Sequence, residues 1–365
     1  MKKHLFALTA ALGLTAAMLA GCGSSSSTAA TTAAAATTAA AAETKAESAE
    51  TKAETAAPAA SDGKVYKMKV AHAYNHENVI GKAIVKAMDT INEKSGGRIE
   101  IEEYPGASLG GENDLISMAQ MGEIALTTMG ETSASLKPEA INVWCLPYLF
   151  ANEDDWETYT SSDECAQMMD LSGTGIRIVG YMDNGFREVT SNKPVNSIDD
   201  MKGLKIRTSS SSVNVALFEK LGAAPSALAF NELFSALETG TFEAEENAYN
   251  TILSSSFYEV QDYIAETNHI LSTQFLVISE DWLATLPEDL QTIVLDACAE
   301  ANEYQHKEFR EQNSKDLQTL LDNGMEITHP DLAPFKEAAQ AVYDDFYAQY
   351  PSAKDAVESI LAMQK

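Results

Sequence analysis

The spacing of apolar residues after about residue 64 predicts alternating strands and helices. Segments 65–71 and 99–102 alternate apolar with polar residues, which is typical of half-buried strands. Across residues 79–91, apolar side chains recur every three or four positions, which predicts an amphipathic helix that ends at Gly96. A short helix and a strand follow, at 115–121 and 124–128. This order of elements predicts an α/β domain with a mainly parallel sheet.

A second run with the same alternation leads into a long helix. Its strands and helices are predicted at residues 176–181, 204–207, 213–221, 230–237, 241–245 and 275–279. Pro287 then opens a helical pattern that meets no Pro or Gly before Gly324, so we expect a helix of about 36 residues and roughly 54 Å. A helix of that length exceeds one small domain and is expected to brace two. Another helical pattern lies at 335–346.

The first 21 residues have the pattern of a secretory signal peptide. Two lysines precede an apolar run at 5–20, which is shorter than the roughly 20 residues that cross a bilayer. The sequence LAGC at 19–22 reads as a lipobox, so cleavage before Cys22 and a diacylglycerol on its thiol are expected. The alternative is an ordinary signal peptide followed by an incidental cysteine.

The segment that follows Cys22 is low in complexity. It is composed of Ser, Thr and Ala with spaced Glu and Lys, and it holds no large apolar residue up to residue 62. Such a composition cannot bury enough surface to offset the entropy lost on ordering. Residues 22–63 are therefore predicted to be a lipidated cysteine and a disordered linker, with a root-mean-square reach of roughly 35 Å.

The charge of the chain restricts its partners. Without Lys2 and Lys3, 23 of the 25 basic residues remain against 54 acidic ones. Nucleic acids and anionic lipids bind clusters of Lys and Arg, so neither is an expected partner. An anionic small molecule would have to be held by a few local cations against the global negative field.

The sequence offers little support for catalysis or for a metal. It has no HExxH, Walker loop, GxSxG or dinucleotide motif, so no enzyme activity and no cofactor are expected. Glu303 and His306 have di-iron spacing without the second copy that such a site needs, so no metal is expected. The other three cysteines form no CxxC pair and are expected to be small buried residues, with one disulfide as the alternative: Cys145, Cys165 and Cys298.

Several spaced motifs then occur in a recognisable order. They are VWCLPYLF at 143–150, NGFRE at 184–188, MKGLKIR at 201–207, FNELFSALETG at 230–240 and FYEVQDY at 257–263. Over about residues 64–350 the chain resembles the substrate-binding subunit of TRAP transporters, of the C4-dicarboxylate and sialic-acid-binding type. TNHIL at 267–271 and ITHPD at 327–331 look particularly like the sialic-acid branch.

The resemblance implies a two-lobed clamshell of the periplasmic-binding-protein type, with the ligand between the lobes and a long helix spanning both. Lobe I is expected to comprise residues 64–184 and about 273–312. Lobe II is expected to comprise 185–272 and about 313–365. Both runs of alternating elements and the long helix agree with this arrangement.

Two arginines and one asparagine are the leading candidates for the ligand site. Arg207 ends a predicted strand, where ligands bind in doubly wound folds, and its planar guanidinium matches a carboxylate. The resemblance places the carboxylate-clamping arginine at Arg207, a second arginine at Arg187 and an orienting asparagine at Asn247. A surface ion pair is the alternative for Arg187.

Three further positions match the family pattern less specifically. Phe230 is expected to pack against the ligand, with core packing as the alternative. Asn75 and Glu131 match polar positions of the sialic-acid-type pocket, with a loop cap or a solvated position as the alternative; His76 and Glu77 are weaker candidates. The segment FEAEEN at 242–247 departs from the usual VDGQEN, and its Glu245 would add negative charge near an anion site unless it pairs with an arginine or binds hydroxyls.

These observations predict an extracytoplasmic solute-binding lipoprotein of a TRAP-type transporter. It would capture an organic acid, such as a uronate or a sialate, and deliver it to a membrane permease while anchored to the membrane by its lipid. The alternatives are a C4-dicarboxylate ligand with the same mechanism and a surface receptor or adhesion lipoprotein.

Overall fold

The computed structural model describes residues 63–132, 136 and 138–364. The predicted signal peptide, the lipidation of Cys22 and the linker up to residue 62 lie outside the described residues. Within the described ranges, none of the helices combines the length and apolar character that crossing a membrane requires.

One mixed sheet forms the centre of the described chain. Its strands are β1 Tyr66–Ala71, β2 Ile99–Tyr104, β3 Leu126–Gly130, β4 Ile176–Ser191, β5 Lys205–Thr208, β6 Ala224–Ala227, β7 Ala244–Asn247, β8 Tyr263–Ser279 and β9 Glu326–Thr328. The strand order is β2-β1-β3-β8-β4-β7-β5-β6, and β9 pairs with β8. The prediction of a mainly parallel sheet holds only for the outer pairs, because β3–β8, β8–β4 and β4–β7 are antiparallel.

Strands β4 and β8 run side by side through the whole sheet. The first half of β4 pairs with residues 273–279 of β8, and its second half pairs with residues 263–272. Strand β3 joins only the second half of β8, whereas β7 joins only the second half of β4. The two ends of this central ladder therefore carry different neighbouring strands. The register shifts between Asp183 and Gly185, which is where the predicted lobe boundary lies.

The helices cover both faces of the sheet. They are α1 Val79–Ser95, α2 Glu112–Gln120, α3 Pro138–Ile141, α4 Glu153–Thr160, α5 Asp163–Met168, α6 Ser212–Lys220, α7 Leu233–Glu238, α8 Tyr249–Ser254, α9 Glu280–Ala284, α10 Glu288–Asp322, α11 Ala333–Gln349 and α12 Lys354–Met363. The long helix α10 has 35 residues, which corresponds to roughly 52 Å. It packs against α1, β4 and α8.

Strand β4 is longer than its apolar pattern predicts. The pattern indicates a strand at 176–181, but β4 continues to Ser191, and its second half carries polar side chains that are buried. Among them are Asp183, Asn184, Arg187 and Glu188. A hydrophobic period cannot reveal a strand whose buried positions are polar. Through these residues the central pair of strands takes part in the candidate site.

Candidate ligand-binding site

A cleft of about 560 Å³ lies at the carboxyl ends of several strands. Its size falls within the range of small-molecule sites, and its position is the usual one for ligands of open α/β sheets. The residues that line it are Ala73, Tyr74, Gly111, Glu112, Asn113, Asp114, Thr132, Asn184, Arg187, Arg207, Ser209, Ser210, Ala227, Leu228, Ala229, Phe230, Asn231, Glu232, Asn247, Thr251 and Gln274. Arg187, Arg207, Asn247 and Phe230, all predicted from the sequence, are thus brought to one cleft.

Arg207 is a buried cation that is held by a backbone carbonyl. It lies on β5, only 4% of its surface is exposed, and its Nε and Nη2 donate to the Leu228 carbonyl at 2.9 and 2.6 Å. Among the described residues, no carboxylate lies within 4.0 Å of its guanidinium. Burial lowers the pKa of Arg207 to about 10, against the opposing influence of Glu246 and Glu245. A buried charge of this kind is costly unless it is paired, so the site favours an incoming anion.

Arg187 is also buried but is already balanced. Its Nε makes an ion pair with Glu246, and its Nη2 donates to the Glu246 carbonyl at 2.6 Å and to Asn247 Oδ1 at 3.1 Å. Burial lowers the pKa of Arg187, but the adjacent Glu246 outweighs burial and holds the pKa above its ordinary value. Its Nη1 has two long contacts, to Ser272 Oγ at 3.4 Å and to Glu131 Oε1 at 4.0 Å, so this nitrogen retains capacity for a ligand.

Glu246 is held from three sides. Besides Arg187, it accepts from Asn214 Nδ2 of α6 at 2.9 Å and lies 3.2 Å from His269 Nε2 of β8. Burial alone would raise the pKa of Glu246, but Arg187 and His269 lower it to about 2. Glu246 is therefore the direct ion-pair partner of Arg187, and it acts on Arg207 only from a distance beyond 4.0 Å.

Asn247 connects Arg187 to a further buried carboxyl group. Its Oδ1 accepts from Arg187, and its Nδ2 donates to Glu245 Oε2 at 2.5 Å. Glu245 is fully buried and does not line the cleft. From the sequence, the candidate partners of Glu245 are an arginine or ligand hydroxyls. In the structure it makes hydrogen bonds with Asn247 and with Thr190 instead.

Phe230 provides an apolar wall of the cleft. It begins the short 3₁₀ turn Phe230–Glu232 and packs its ring against Phe257 in an edge-to-face arrangement, with 6.0 Å between ring centroids. The side chain remains partly exposed on the cleft side. Packing against the core and contact with a ligand are therefore compatible at this position.

Asn75 and Glu131 do not line the cleft. Asn75 donates from Nδ2 to the Ser254 carbonyl at 2.8 Å, and its Oδ1 accepts from the Asn78 amide at 3.1 Å. Glu131 is buried behind the cleft, where it accepts from Ser272 Oγ at 2.9 Å, and burial raises its pKa to about 7. Of the two weaker candidates, His76 pairs with Glu103 at 2.8 Å and Glu77 also lies outside the cleft lining.

Among the polar residues of the cleft that were not predicted from the sequence, Asn184 and Gln274 have unused hydrogen-bonding capacity. Asn184 on β4 and Gln274 on β8 line the cleft, and their side-chain oxygens are buried without a hydrogen-bond partner in the described part of the chain. Each of these oxygens therefore has unused capacity to accept a hydrogen bond. The signal for Gln274 was present in the sequence, since it is an isolated amide ahead of the apolar run FLVI.

The described residues form neither of the other two sites that the sequence raised, a disulfide and a metal site. Cys145, Cys165 and Cys298 are free and buried, so the alternative of a disulfide among them is wrong. In the described ranges, no group of three or more His, Cys, Asp and Glu is arranged to hold a metal ion.

Comparisons with known proteins show the family to which the chain belongs. The family described as bacterial extracellular solute-binding protein, family 7, matches residues 70–350. The sialic acid-binding periplasmic protein SiaP of Vibrio cholerae is 32% identical over 260 residues, which are 71% of this chain and 81% of that protein.

Solved structures lead to the same family. A TRAP periplasmic solute binding protein from Roseobacter denitrificans OCh 114 with bound L-galactonate is 30% identical, with a TM-score of 0.77 over 82% of this chain and 99% of that one. Another, from Shewanella oneidensis with bound succinate, is 25% identical, with a TM-score of 0.79 over 82% and 100% of the two chains. The chain therefore belongs to the bacterial extracellular solute-binding proteins of family 7, the solute-binding proteins of TRAP transporters, and it has their two-lobed α/β fold with a long helix.

Proposed function

We propose that this protein captures one organic acid in its cleft, with the ligand carboxylate held by Arg207. The observation that carries the proposal is a buried guanidinium that has no acidic partner among the described residues. A carboxylate would accept two hydrogen bonds from the planar fork and would remove the cost of the isolated charge. Arg187 Nη1 and the ring of Phe230 would complete the contacts at this end of the cleft.

The remaining polar groups favour a sugar acid such as a uronate or a sialate. The cations of the cleft lining are Arg187 and Arg207, and Arg187 is already paired with Glu246. The acceptor oxygens of Asn184 and Gln274 suit hydroxyl groups better than a second carboxylate. The relatives that bind sialic acid and L-galactonate support this choice. The relative with bound succinate supports the alternative, a C4-dicarboxylate whose second carboxylate would contact Arg187.

Ligand capture is proposed to close two lobes around the cleft. Lobe I would comprise residues 64–184 and about 273–312, and lobe II would comprise 185–272 and about 313–365. The support is the change of neighbouring strands along the β4–β8 ladder and the register shift next to Gly185. A ligand that contacts both lobes shifts the population toward the closed state.

The loaded protein is proposed to deliver its ligand to a TRAP-type membrane permease, without catalysis and without a cofactor. A lipid on Cys22 would hold it at the outer face of the membrane, and the segment up to residue 63 would set its reach. Release of the intact protein from membranes by detergent but not by salt, and loss of membrane association after Cys22→Ala, would test the anchor.

Isothermal calorimetry with sialic acid, L-galactonate, D-glucuronate and succinate tests the ligand class. We expect Arg207→Ala to weaken binding of the preferred acid at least about 100-fold, since a charge-assisted bidentate pair is lost. Arg177→Ala is the matched control, because Arg177 is an exposed arginine on β4 outside the cleft lining. Affinity of the Arg207 variant within a few-fold of the wild type, in a folded protein, would refute the clamp.

A further inference from the structure

Glu245 lies in a hydrogen-bond chain that has one acceptor too many if the carboxyl group is ionised. Thr190 Oγ1 is 2.7 Å from Glu245 Oε1 and 3.3 Å from Gln261 Oε1. Gln261 donates its Nε2 to the Val260 carbonyl at 2.9 Å, which fixes its Oε1 as an acceptor. A threonine hydroxyl carries a single hydrogen, so it cannot donate to both oxygens.

A proton on Glu245 Oε1 removes this conflict. The carboxylic acid then donates to Thr190 Oγ1, and the threonine hydroxyl donates to Gln261 Oε1. All three side chains are buried, so water does not supply the missing hydrogen. Leaving a buried acceptor unsatisfied costs about 1–3 kcal/mol, which favours the protonated form. Burial independently raises the pKa of Glu245 to about 7.

The other oxygen of Glu245 acts on the ligand site. Its Oε2 accepts from Asn247 Nδ2 at 2.5 Å, and this bond turns Asn247 Oδ1 toward Arg187 Nη2 at 3.1 Å. Glu245 and Asn247 are two residues apart on β7, so their side chains leave the same face of the strand. Glu245 thereby fixes a residue of the cleft lining without lining the cleft itself.

The charges around Glu245 connect its proton to the ligand. Arg207 from β5 and Arg187 from β4 favour its ionised form, whereas Glu246 of the same strand opposes it. His269 of β8 faces Glu246, and burial lowers its pKa. An anion on Arg207 would neutralise that cation and add a negative charge nearby, so both changes favour a proton on Glu245.

We propose that Glu245 is a positioning residue of the ligand site, and that the anion binds the form in which Glu245 is protonated and donates to Thr190, whose hydroxyl in turn donates to Gln261. The proposal rests on the proposed function, because it requires an anion at Arg207. An ionised Glu245 would repel the ligand and would partly neutralise Arg207. Ligand binding should therefore take up protons near neutral pH.

Calorimetry in buffers of different ionisation enthalpy measures this uptake directly, with L-galactonate and sialic acid as probes. We expect wild-type protein to take up a fraction of a proton, at most one, at pH 7.5. Affinity should fall as pH rises from 7 to 9, by at most about tenfold per pH unit for one linked proton. In Glu245→Gln, the amide can donate to Thr190 and accept from Asn247, so we expect wild-type affinity at pH 6.5 and a flatter pH profile.

Glu131→Gln is the matched control, because Glu131 is a second buried carboxyl group beside Arg187, and burial raises its pKa to about 7 as well. If Glu131→Gln removes the proton uptake and Glu245→Gln does not, the proposal is overturned. It is also overturned if the wild type binds a probe without proton uptake, or if Glu245→Gln weakens binding more than tenfold at pH 6.5.

An infrared difference spectrum keeps this test separate from the proposed function. At pH 6.5 without ligand, the spectrum of the wild type minus that of Glu245→Gln should contain a neutral carboxylic-acid band. Loss of the band in the variant supports the proton on Glu245, and an identical spectrum refutes it. Failure of every acid to bind would instead refute the proposed function.

Discussion

Arg187 and Arg207 lie in the same cleft but differ in what balances their charges. Arg187 is paired with Glu246, whereas the hydrogen bonds that Arg207 makes within the described ranges go to the Leu228 carbonyl. The sequence placed both residues near a ligand, because each belongs to a motif that resembles the family. It could not show which of the two is compensated, because that depends on Glu246 of β7 and His269 of β8 meeting in space.

Substitution by methionine should separate the two roles. Arg187→Met leaves Glu246 buried without its ion-pair partner, so we expect a loss of about 3–5 kcal/mol in the free energy of unfolding. Arg207→Met removes an unbalanced charge and should change that free energy by no more than about 1 kcal/mol. Urea unfolding of the ligand-free proteins measures both values. Equal losses in the two variants would contradict the assignment, and partial rescue of Arg187→Met by Glu246→Gln would support it.

Only some of the polar residues that were predicted from the sequence line the cleft. Asn75 follows a strand, as Arg207 ends one, but its side chain turns to Ser254 and Asn78 instead. The direction of a side chain in a loop is not encoded in hydrophobic periodicity. Gln274 was missed for a related reason, because a single amide in a buried strand reads as an exception to an apolar pattern.

At the level of elements, the long helices α1 and α10 follow closely from the sequence, whereas the central strands do not. The edge strand β6 and short helices such as α4, α5 and α8 were not predicted. Helix α1 begins at Val79, with the preceding Asn78 as N-cap, and Gly96 ends it in a left-handed conformation. The predicted long helix differs from α10 by about one residue. By contrast, β8 was predicted only at 275–279, because its first half contains the polar sequence ETNH. Hydrophobic periodicity does not reveal a strand whose buried residues are polar because they contribute to a site.

The irregularity in β4 next to α10 gives a prediction at this level. Gly185 has a φ of 82°, and a Cβ there would lie 2.8 Å from Phe309 Cζ. Gly173 has a φ of 81°, and a Cβ there would meet nothing within 4 Å. We expect Gly173→Ala to cost about 1–2 kcal/mol for the left-handed backbone alone. Gly185→Ala should cost about 1–3 kcal/mol more because of the collision.

Urea unfolding of the two alanine variants measures the difference, and Phe309→Leu in the Gly185→Ala background should recover part of it. Similar losses for Gly173→Ala and Gly185→Ala would show that α10 yields to the added methyl group. In that case the close approach of α10 to β4 would not be a rigid constraint.

On the scale of the whole molecule, buried carboxyl groups should make stability depend on pH. Burial raises the pKa of Glu131 and Glu245 to about 7 and that of Asp183 and Glu188 to about 8. The folded protein therefore binds more protons than the unfolded chain between about pH 4.5 and 8. Their contribution to stability is complete below the unfolded pKa values and is lost as pH rises through the folded ones.

We accordingly expect the urea midpoint of ligand-free protein to fall between pH 5.5 and 8, with each group contributing at most about 1.4 kcal/mol per pH unit. Asp183→Asn retains the acceptor for the Gly185 amide and should reduce the slope. Glu246 has the opposite sign, because its pKa is lowered to about 2 and its contribution is lost in acid. A midpoint that rises steadily from pH 5.5 to 8 would contradict the burial of these groups.

The pairing of β3 with β8 also sets the order in which the protein can be completed. Leu126 pairs with Ile278, so the inner edge of the first three strands finds its partner only after about 150 further residues have been synthesised. An open strand edge is prone to wrong pairing, and contacts this distant in sequence form slowly. The nascent chain therefore remains without a finished core until most of it has emerged. Such late completion keeps most of the chain open during synthesis, which suits a protein of an extracytoplasmic family.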